Sequence, residues 1–248
     1  MRFINKESPC FEFDDFLEKF GQRLKGGQAW SKLKRITAKN KYGERIYIGK
    51  QIRLILFNHL RRQQQGLCIY CQQSIPEKAG AGEDKYAHIE HIKKRANFEE
   101  LIFDQGNMAV SCNGFDCTME DLEEDATIKE FCGHFKDGRY TTIEMDWTLF
   151  LHPFEIKDID SYFEHEFSES FDDIYITSNP HKTEIEQTKA KYSAQLLNLN
   201  QETLRAMRRR QYDLVLENLQ AGMDMKDYLS EGYEELPPFY SMLKEKFL

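Results

Sequence analysis

Residues 68–71, CIYC, and residues 86–95, YAHIEHIKKR, are the stretches that decide the fold. Cys68 and Cys71 are three positions apart, so a tight turn can present both thiolates to one tetrahedral zinc ion, at about 2.3 Å from the metal. The surrounding sequence lacks the strand–CxxC–helix pattern of thioredoxin-like redox proteins. The pair therefore indicates part of a zinc site, whose other ligands must lie downstream.

Three further cysteines follow this pair: Cys112, Cys117 and Cys132. Cys10 stands alone near the N-terminus, and we interpret it as a small buried hydrophobic residue. The chain start lacks the basic-then-apolar pattern of a secretory signal, which predicts a reducing, cytoplasmic location. In that setting six cysteines favour metal ligands or buried thiols over disulfides.

Glu90 and His91 are adjacent in a short strand-like run, where neighbouring side chains point to opposite faces. If the chain bends there, the carboxylate can hold a hard divalent cation while the imidazole stays free to accept a proton. His88 would lie on the face opposite His91 and is predicted to be structural. Asn107 could coordinate a metal or orient the base, and an ordinary loop asparagine is the alternative interpretation.

The order CxxC, Glu90-His91, Asn107, Cys112 and CGHFK (132–136) resembles the HNH nuclease family, the zinc-binding branch of the ββα-metal fold. The resemblance implies that four cysteines bind a structural Zn²⁺. It also implies that His91 is the general base and that Asn107 fixes the geometry of the loop carrying it. Glu90 would then bind a catalytic Mg²⁺ or Mn²⁺.

The fourth zinc ligand departs from the family pattern, in which the second pair is also CxxC. Because FCGHFK (131–136) resembles the Cys-x-x-x-Lys of the family, we expect Cys132 to join Cys68, Cys71 and Cys112. Residues 113–131 would then form an acidic insertion, and Cys117 is the alternative ligand. His134 is offset by one position from the last histidine of the family and is a second candidate ligand of the catalytic cation.

The similarity extends along the chain: the start MRFINK (1–6), the motif GNMAVSCNG (106–114) and a late LNLN run (197–200) are similar to the PtuB nucleases of Septu-type antiphage systems, also found beside retrons. The resemblance implies an effector nuclease that acts on DNA or RNA with an SMC-like, ABC-type ATPase. Beside a retron, the partners would include a reverse transcriptase with its msDNA. The alternatives are a ribonuclease acting on a substrate such as transfer RNA, and a non-catalytic zinc-binding adaptor.

Charge is divided unevenly along the 248 residues. The net charge is −8, yet residues 21–62 hold 12 Lys/Arg against one acid, with Trp30, Tyr42 and Tyr47 interleaved. Such a segment is typical of a surface that binds a phosphate backbone. A solvated basic face, or a surface that docks the acidic residues 116–173, is equally consistent with it. After His91, we expect Lys93, Lys94 and Arg95 to contact phosphates without reading bases.

The sequence predicts an α+β fold with a small zinc-stapled ββα-metal core embedded in a mostly helical chain. We divide it into a basic helical region (1–62), the HNH core with its acidic insertion (63–140) and a helical, partner-docking region (141–248). No apolar run is long enough to span a membrane.

Periodicity predicts helices over 11–26 and 49–65, strands over 66–75, 86–92 and 141–151, and a short terminal helix after 235–238. A further helix should begin at the capping residue Asn200. Its predicted buried residues are Leu204, Met207, Leu214 and Leu219, with Arg208, Arg209 and Arg210 on a solvated face.

Overall fold

The computed structural model describes residues 1–6, 8–26, 28–77, 86–115, 131–138 and 141–248. The α-helices in these ranges are α1 (Phe11–Phe20), α2 (Ala29–Leu33), α3 (Ile48–Gln63), α4 (Cys132–Lys136), α5 (Glu184–Leu196), α6 (Glu202–Gln220), α7 (Met225–Tyr228) and α8 (Tyr240–Phe247). The strands are β1 (Ala38–Lys39), β2 (Arg45–Ile46), β3 (Ala87–His91), β4 (Met108–Cys112), β5 (Phe163–Phe167) and β6 (Ile174–Ser178). The fold is therefore mixed α+β, as predicted.

Strands β3 and β4 form an antiparallel pair in which Ala87 lies opposite Cys112 and His91 lies opposite Met108. Every residue of β4 is buried, because the sheet is covered on both sides. Helix α4 packs on β4, where the Gly133 N–H donates to Ser111 Oγ at 3.3 Å. The predicted strand over 86–92 is confirmed. Residues 66–75 hold only a single β-bridge, between Leu67 and Ser74.

The N-terminal helices cover one side of this unit. Helix α3 confirms the helix predicted over 49–65, and it buries Ile52, Leu56 and Leu60 at a four-residue spacing. Helix α1 ends at Phe20 and a 3₁₀ turn follows it. Phe11, the first residue of α1, is 69% exposed, whereas Phe13 and Phe16 are buried.

The C-terminal region differs most from the prediction. Strands β5 and β6 form an antiparallel pair within a region predicted to be helical, apart from its first residues. The strand predicted over 141–151 is absent, and that stretch is irregular. Its backbone is held instead by Tyr192, whose hydroxyl donates to the Glu144 carbonyl at 2.6 Å and accepts from the Asp146 N–H at 2.6 Å.

On helix α6, the division between buried and solvent-exposed residues differs from the prediction. Leu204 and Met207 are buried as predicted, but Leu214 is half exposed and Val215 is buried instead. Arg208 is also buried, because it lies four residues after Leu204 on the inner face of the helix. Its guanidinium donates to the carbonyls of Ile174, at 3.3 Å, and Leu199, at 2.6 Å. The arginine triplet is therefore not a uniformly solvated face.

Hydrogen bonds join the three predicted regions. The Ile4 N–H donates to the Pro153 carbonyl at 3.0 Å, and the Cys132 N–H donates to the Leu197 carbonyl at 2.8 Å. The buried residues of all three regions belong to one continuous hydrophobic cluster. Among the described residues, none of the helices has the length and apolar character needed to cross a bilayer.

Candidate functional site: a four-cysteine cluster beside a histidine loop

Cys68, Cys71, Cys112 and Cys132 are brought together as a buried cluster whose sulfur atoms all lie within 4.8 Å of one another. The Cys68–Cys132 and Cys71–Cys112 sulfurs are 3.8 Å apart. A tetrahedral zinc–thiolate site, with Zn–S bonds of about 2.3 Å, has S–S edges of about 3.8 Å. A disulfide would need a separation of about 2.05 Å. The cluster can therefore hold a metal ion, and its geometry is compatible with structural zinc.

The fourth position of this cluster is held by Cys132, at the first residue of α4. The backbone N–H of Cys112 donates to Cys68 Sγ at 3.4 Å, an orientation suited to a thiolate acceptor. Cys117, the alternative ligand, lies outside the described residues. Cys10 is buried away from the cluster, as predicted.

Asn107 is buried and holds the backbone immediately after His91. Its Oδ1 accepts from the Lys93 N–H at 2.7 Å, and its Nδ2 donates to the Lys93 carbonyl at 3.0 Å. Its own carbonyl accepts from the Ile92 N–H at 2.9 Å. These three bonds fix the bend that follows β3. Asn107 is thus a residue that shapes the histidine loop, and not an ordinary solvated loop residue.

His91 is buried at the end of β3, between this loop and the N-terminal helices. Its Nε2 lies 3.0 Å from the Ile102 carbonyl, so this nitrogen carries the proton and donates, and Nδ1 keeps its lone pair. The Trp30 ring meets the imidazole edge-on, with centroids 4.8 Å apart. Burial lowers the pKa of His91 to about 4, and the positive charge of Arg95 adds to this shift. The imidazole is therefore neutral at physiological pH.

Glu90 points to the other side of β3, into a buried polar cluster. Its Oε1 accepts from the Tyr70 hydroxyl at 3.0 Å and pairs with Lys136 Nζ at 3.1 Å. Its Oε2 lies 3.1 Å from His88 Nε2. Burial alone would raise the pKa of Glu90, but Lys136 and His88 outweigh it and hold the pKa well below its usual range. The carboxylate is therefore ionised.

His88 and Asn113 belong to the same cluster, although the sequence singled out neither as functional. Asn113 Oδ1 lies 2.8 Å from His88 Nδ1 and 3.1 Å from His134 Nε2. The two imidazole rings are in contact, with centroids 4.0 Å apart and planes tilted by 40°. His88 shares the face of Glu90 because the two are separated by two positions on a strand, and this spacing was the available signal. His134 therefore lies beside His88, in reach of the Glu90 side of the hairpin.

The basic segment 21–62 is mostly exposed. Its solvent-exposed cations are Arg23, Lys25, Lys32, Lys34, Arg35, Lys39, Lys41, Arg45, Lys50 and Arg62. Tyr42 and Tyr47 are exposed among them. Arg61 is an exception, since it is buried and donates to the Ile75 carbonyl at 2.6 Å and to Glu235 at 2.7 Å. The Arg53 guanidinium lies 5.2 Å from the centre of the Trp30 ring, which links this surface to His91.

The three cations that follow His91 differ in their surroundings. Lys93 is half-buried and its Nζ lies 5.8 Å from the Trp147 ring centre. Lys94 is exposed, with Nζ 3.2 Å from the Asp137 carbonyl, and Arg95 is exposed.

Comparison of the chain with models of protein families and with curated proteins gives no match.

Proposed function

We propose that the protein is an HNH-type endonuclease that hydrolyses phosphodiester bonds with a divalent cation, Mg²⁺ or Mn²⁺, and carries a structural Zn²⁺ on its four cysteines. The observation that carries the proposal is that His91 is followed by a loop whose backbone Asn107 holds in place. A buried, neutral histidine has one nitrogen tied to the Ile102 carbonyl, and its loop is held by an asparagine that bonds both backbone groups of Lys93. A zinc-binding adaptor would need neither residue.

His91 supplies the general base in this proposal. With Nε2 donating to a backbone carbonyl, Nδ1 can accept a proton from the attacking water. The rigid loop keeps the imidazole in that tautomer and orientation. Because the pKa of His91 is about 4, the base is already deprotonated at neutral pH.

Glu90 is the residue that would hold the catalytic cation. It is an ionised carboxylate, Oε1 is already engaged by Tyr70 and Lys136, and Oε2 faces His88. When bound, the cation would neutralise charge on the scissile phosphate and on the leaving oxygen. A Cβ at position 133 would lie 2.4 Å from Glu90 Oε2, so glycine leaves the carboxylate room on the α4 side.

The substrate would bind along the exposed basic segment 21–62. Its lysines and arginines can neutralise backbone phosphates, and Tyr42 and Tyr47 offer exposed rings for stacking with unpaired bases. Lys94 and Arg95 lie next to the histidine loop and would position the neighbouring phosphates. Trp30 connects this surface to His91.

The cellular setting of the proposal rests on sequence resemblance. We propose that this nuclease is the effector of a cytoplasmic antiphage complex and works with an SMC-like, ABC-type ATPase. Where a retron accompanies it, the reverse transcriptase and its msDNA would be further partners.

The test is cleavage of supercoiled plasmid and of structured RNA by the purified chain, with Mn²⁺ or Mg²⁺ and with the ATPase added where available. His91→Ala should reduce cleavage by about 10³-fold or more, since the base is lost. His181→Ala, which changes an exposed histidine in a turn elsewhere, should cleave as the wild type does. Cleavage by His91→Ala at the wild-type rate would refute the proposal. The relative cleavage of plasmid and of RNA by the wild type decides whether DNA or RNA is the preferred substrate.

A further inference from the structure

The β1–β2 hairpin is held in shape at its base and at its tip. At the base, the Gly49 N–H donates to the Ile36 carbonyl at 3.1 Å, which ties the start of α3 to the chain entering the hairpin. At the tip, Asn40 Oδ1 accepts from the N–H groups of Tyr42, at 2.9 Å, and Glu44, at 3.0 Å. The hairpin therefore presents its outer side chains from a fixed backbone.

One face of this hairpin carries two opposed cations. Lys39 lies directly opposite Arg45 in the register of β1 and β2, and both side chains are exposed. Like charges at directly opposed positions repel each other across the strands. Among the described side chains, no carboxylate pairs with either cation, and the nearby Glu44 carboxylate accepts from Asn40 Nδ2 at 2.8 Å. A bound anion such as a phosphate group would relieve this repulsion.

Two exposed tyrosine rings flank these cations. Tyr42 at the tip is 75% exposed, and Tyr47, which follows β2, is 51% exposed. An ammonium group covers one face of each ring, since Lys41 Nζ lies 4.9 Å from the centre of the Tyr42 ring and Lys50 Nζ lies 5.2 Å from that of Tyr47. At these exposures the opposite face of each ring is open to solvent. Each tyrosine thus offers a free apolar face next to a positive charge.

We propose that the β1–β2 hairpin and the start of α3 bind unpaired nucleotides, so that the substrate of the nuclease contains a single-stranded segment. The inference rests on the proposed function and names its substrate class. Stacking of a base on an aromatic ring needs an uncovered face of that base. A continuous duplex does not offer one, because its bases stack on one another.

The tyrosines are the groups that distinguish a single strand from a duplex. Contacts from Lys39 and Arg45 to phosphates would serve both forms, since both have the same backbone charge. Covering the exposed ring of Tyr42 or Tyr47 with a base removes apolar surface from water only where the base is free. Neither a tyrosine ring nor a phosphate-binding cation recognises the 2′-hydroxyl group, so single-stranded DNA and RNA share the required chemistry.

The test measures binding by fluorescence anisotropy, using purified full-length protein in the His91→Ala background so that no probe is cut. The probes are fluorescein-labelled dT and rU oligonucleotides of about 16 nucleotides and a duplex DNA of the same length, all at one salt concentration. The single-stranded probes should bind at least about tenfold more tightly than the duplex. Comparison of the dT and rU probes decides between DNA and RNA.

Side-chain variants assign the binding to the hairpin. Tyr42→Ala should weaken single-strand binding by about tenfold and leave duplex binding unchanged, whereas Tyr42→Phe, which keeps the ring, should bind as its parent does. Tyr233→Ala is the matched control, because Tyr233 is an exposed tyrosine in the C-terminal region, and it should change neither affinity.

The salt dependence of binding reports the phosphate contacts. Lys39→Gln combined with Arg45→Gln should weaken the binding of both forms. For the single strand, the slope of log affinity against log salt concentration should fall in magnitude by about 1.4, the value for two phosphate contacts.

Equal affinity for single strand and duplex would overturn the proposal, as would unchanged single-strand binding when Tyr42→Ala is combined with Tyr47→Ala. Binding of neither form would also overturn it, and would favour an acidic protein surface as the partner of these cations. Cleavage that depends on His91, by a protein that prefers duplex, would refute this inference alone. Single-strand binding through the tyrosines without any cleavage would instead refute the nuclease proposal and leave the binding surface assigned.

Discussion

Asn107 shows how much local geometry one side chain can control. Its amide bonds both the N–H and the carbonyl of Lys93, two residues after the proposed base. A misplacement of about 1 Å in a catalytic group can cost about 100-fold in rate. Removal of these bonds should therefore lower the cleavage rate more than it lowers the stability of the fold.

We expect Asn107→Ala to lower the cleavage rate by about 100-fold, with a smaller loss of about 1–3 kcal/mol in the free energy of unfolding. Asn97→Ala is the matched control, since Asn97 is an exposed asparagine in the same loop. Rates measured well below the melting temperature separate the two effects. Equal cleavage by Asn107→Ala and Asn97→Ala would show that the loop needs no asparagine.

The buried ammonium group of Lys6 should make the free energy of unfolding depend on pH. Its Nζ donates to the Met108 carbonyl at 2.7 Å and to Gln63 Oε1 at 3.0 Å, and burial lowers its pKa to about 7. An unfolded lysine has a pKa of about 10.4, so the unfolded chain binds more protons between these two values. The free energy of unfolding should therefore rise with pH from about 7 to about 10.

The measurement is urea unfolding of the wild type and of Lys6→Met at several pH values in this window. Subtracting the free energy of unfolding of Lys6→Met from that of the wild type cancels the contributions of groups that titrate in both proteins. The wild type should gain stability relative to Lys6→Met as pH rises, by at most about 1.4 kcal/mol per pH unit. A difference that stays constant with pH would contradict the lowered pKa.

At the scale of elements, helix α4 approaches β3 so closely that a side chain on its second residue would collide with the Glu90 carboxylate. A Cβ on Gly133 would lie 2.4 Å from Glu90 Oε2 and 2.6 Å from its Cδ. We expect Gly133→Ala to displace the carboxylate and to cost about 1–3 kcal/mol in stability.

The matched control is Gly21→Ala at the end of α1, where no heavy atom lies within 4 Å of the added Cβ and φ is −59°. That change should be neutral or stabilise the protein by up to about 1 kcal/mol. Thermal unfolding of both variants checks the comparison. A Gly133→Ala protein as stable as Gly21→Ala would mean that α4 can move away from β3.

Local sequence patterns were sufficient to predict some helices and strands but not others. Helix α3 could be predicted because its buried residues repeat every four positions, and β3 because its short run is apolar on one face. Strand β5, FEHEF, has two glutamates and a histidine, so its strand character depends on pairing with β6. The same reason applies to Arg208, which is buried because the fold supplies carbonyl acceptors.

The candidate site shows the same limit. The cysteine spacing, Glu90-His91 and Asn107 pointed to the part of the chain that forms the cysteine cluster and the histidine loop. The position of His88 beside Asn113 could not be predicted, because the two are 25 residues apart and meet only after β3 pairs with β4. The Lys136–Glu90 ion pair depends in the same way on how α4 docks.

At the scale of the whole molecule, the cysteine cluster connects a turn, the end of β4 and the start of α4. A structural zinc contributes its binding free energy to folding. We therefore expect Cys132→Ser to lose the zinc and to lower the melting temperature sharply. Cys10→Ser, which changes a buried thiol outside the cluster, should keep one zinc per chain.

Metal content by mass spectrometry and melting temperature by calorimetry test this expectation. Chelation of the wild-type metal should reproduce the Cys132→Ser melting curve. Zinc retained at one per chain in Cys132→Ser would instead assign the fourth position to another residue, with Cys117 the first to examine.

The hydrogen bond from Cys132 to Leu197 has a consequence for how the protein is made. Cys68 and Cys132 are 64 residues apart, so the ribosome must release the chain beyond residue 132 before the four sulfurs can meet. The Cys132 N–H finds its acceptor only when residue 197 has also emerged. A metal ion bound by all four sulfurs would therefore reach its complete ligand set only late in synthesis, after Cys68, Cys71 and Cys112 have already left the ribosome.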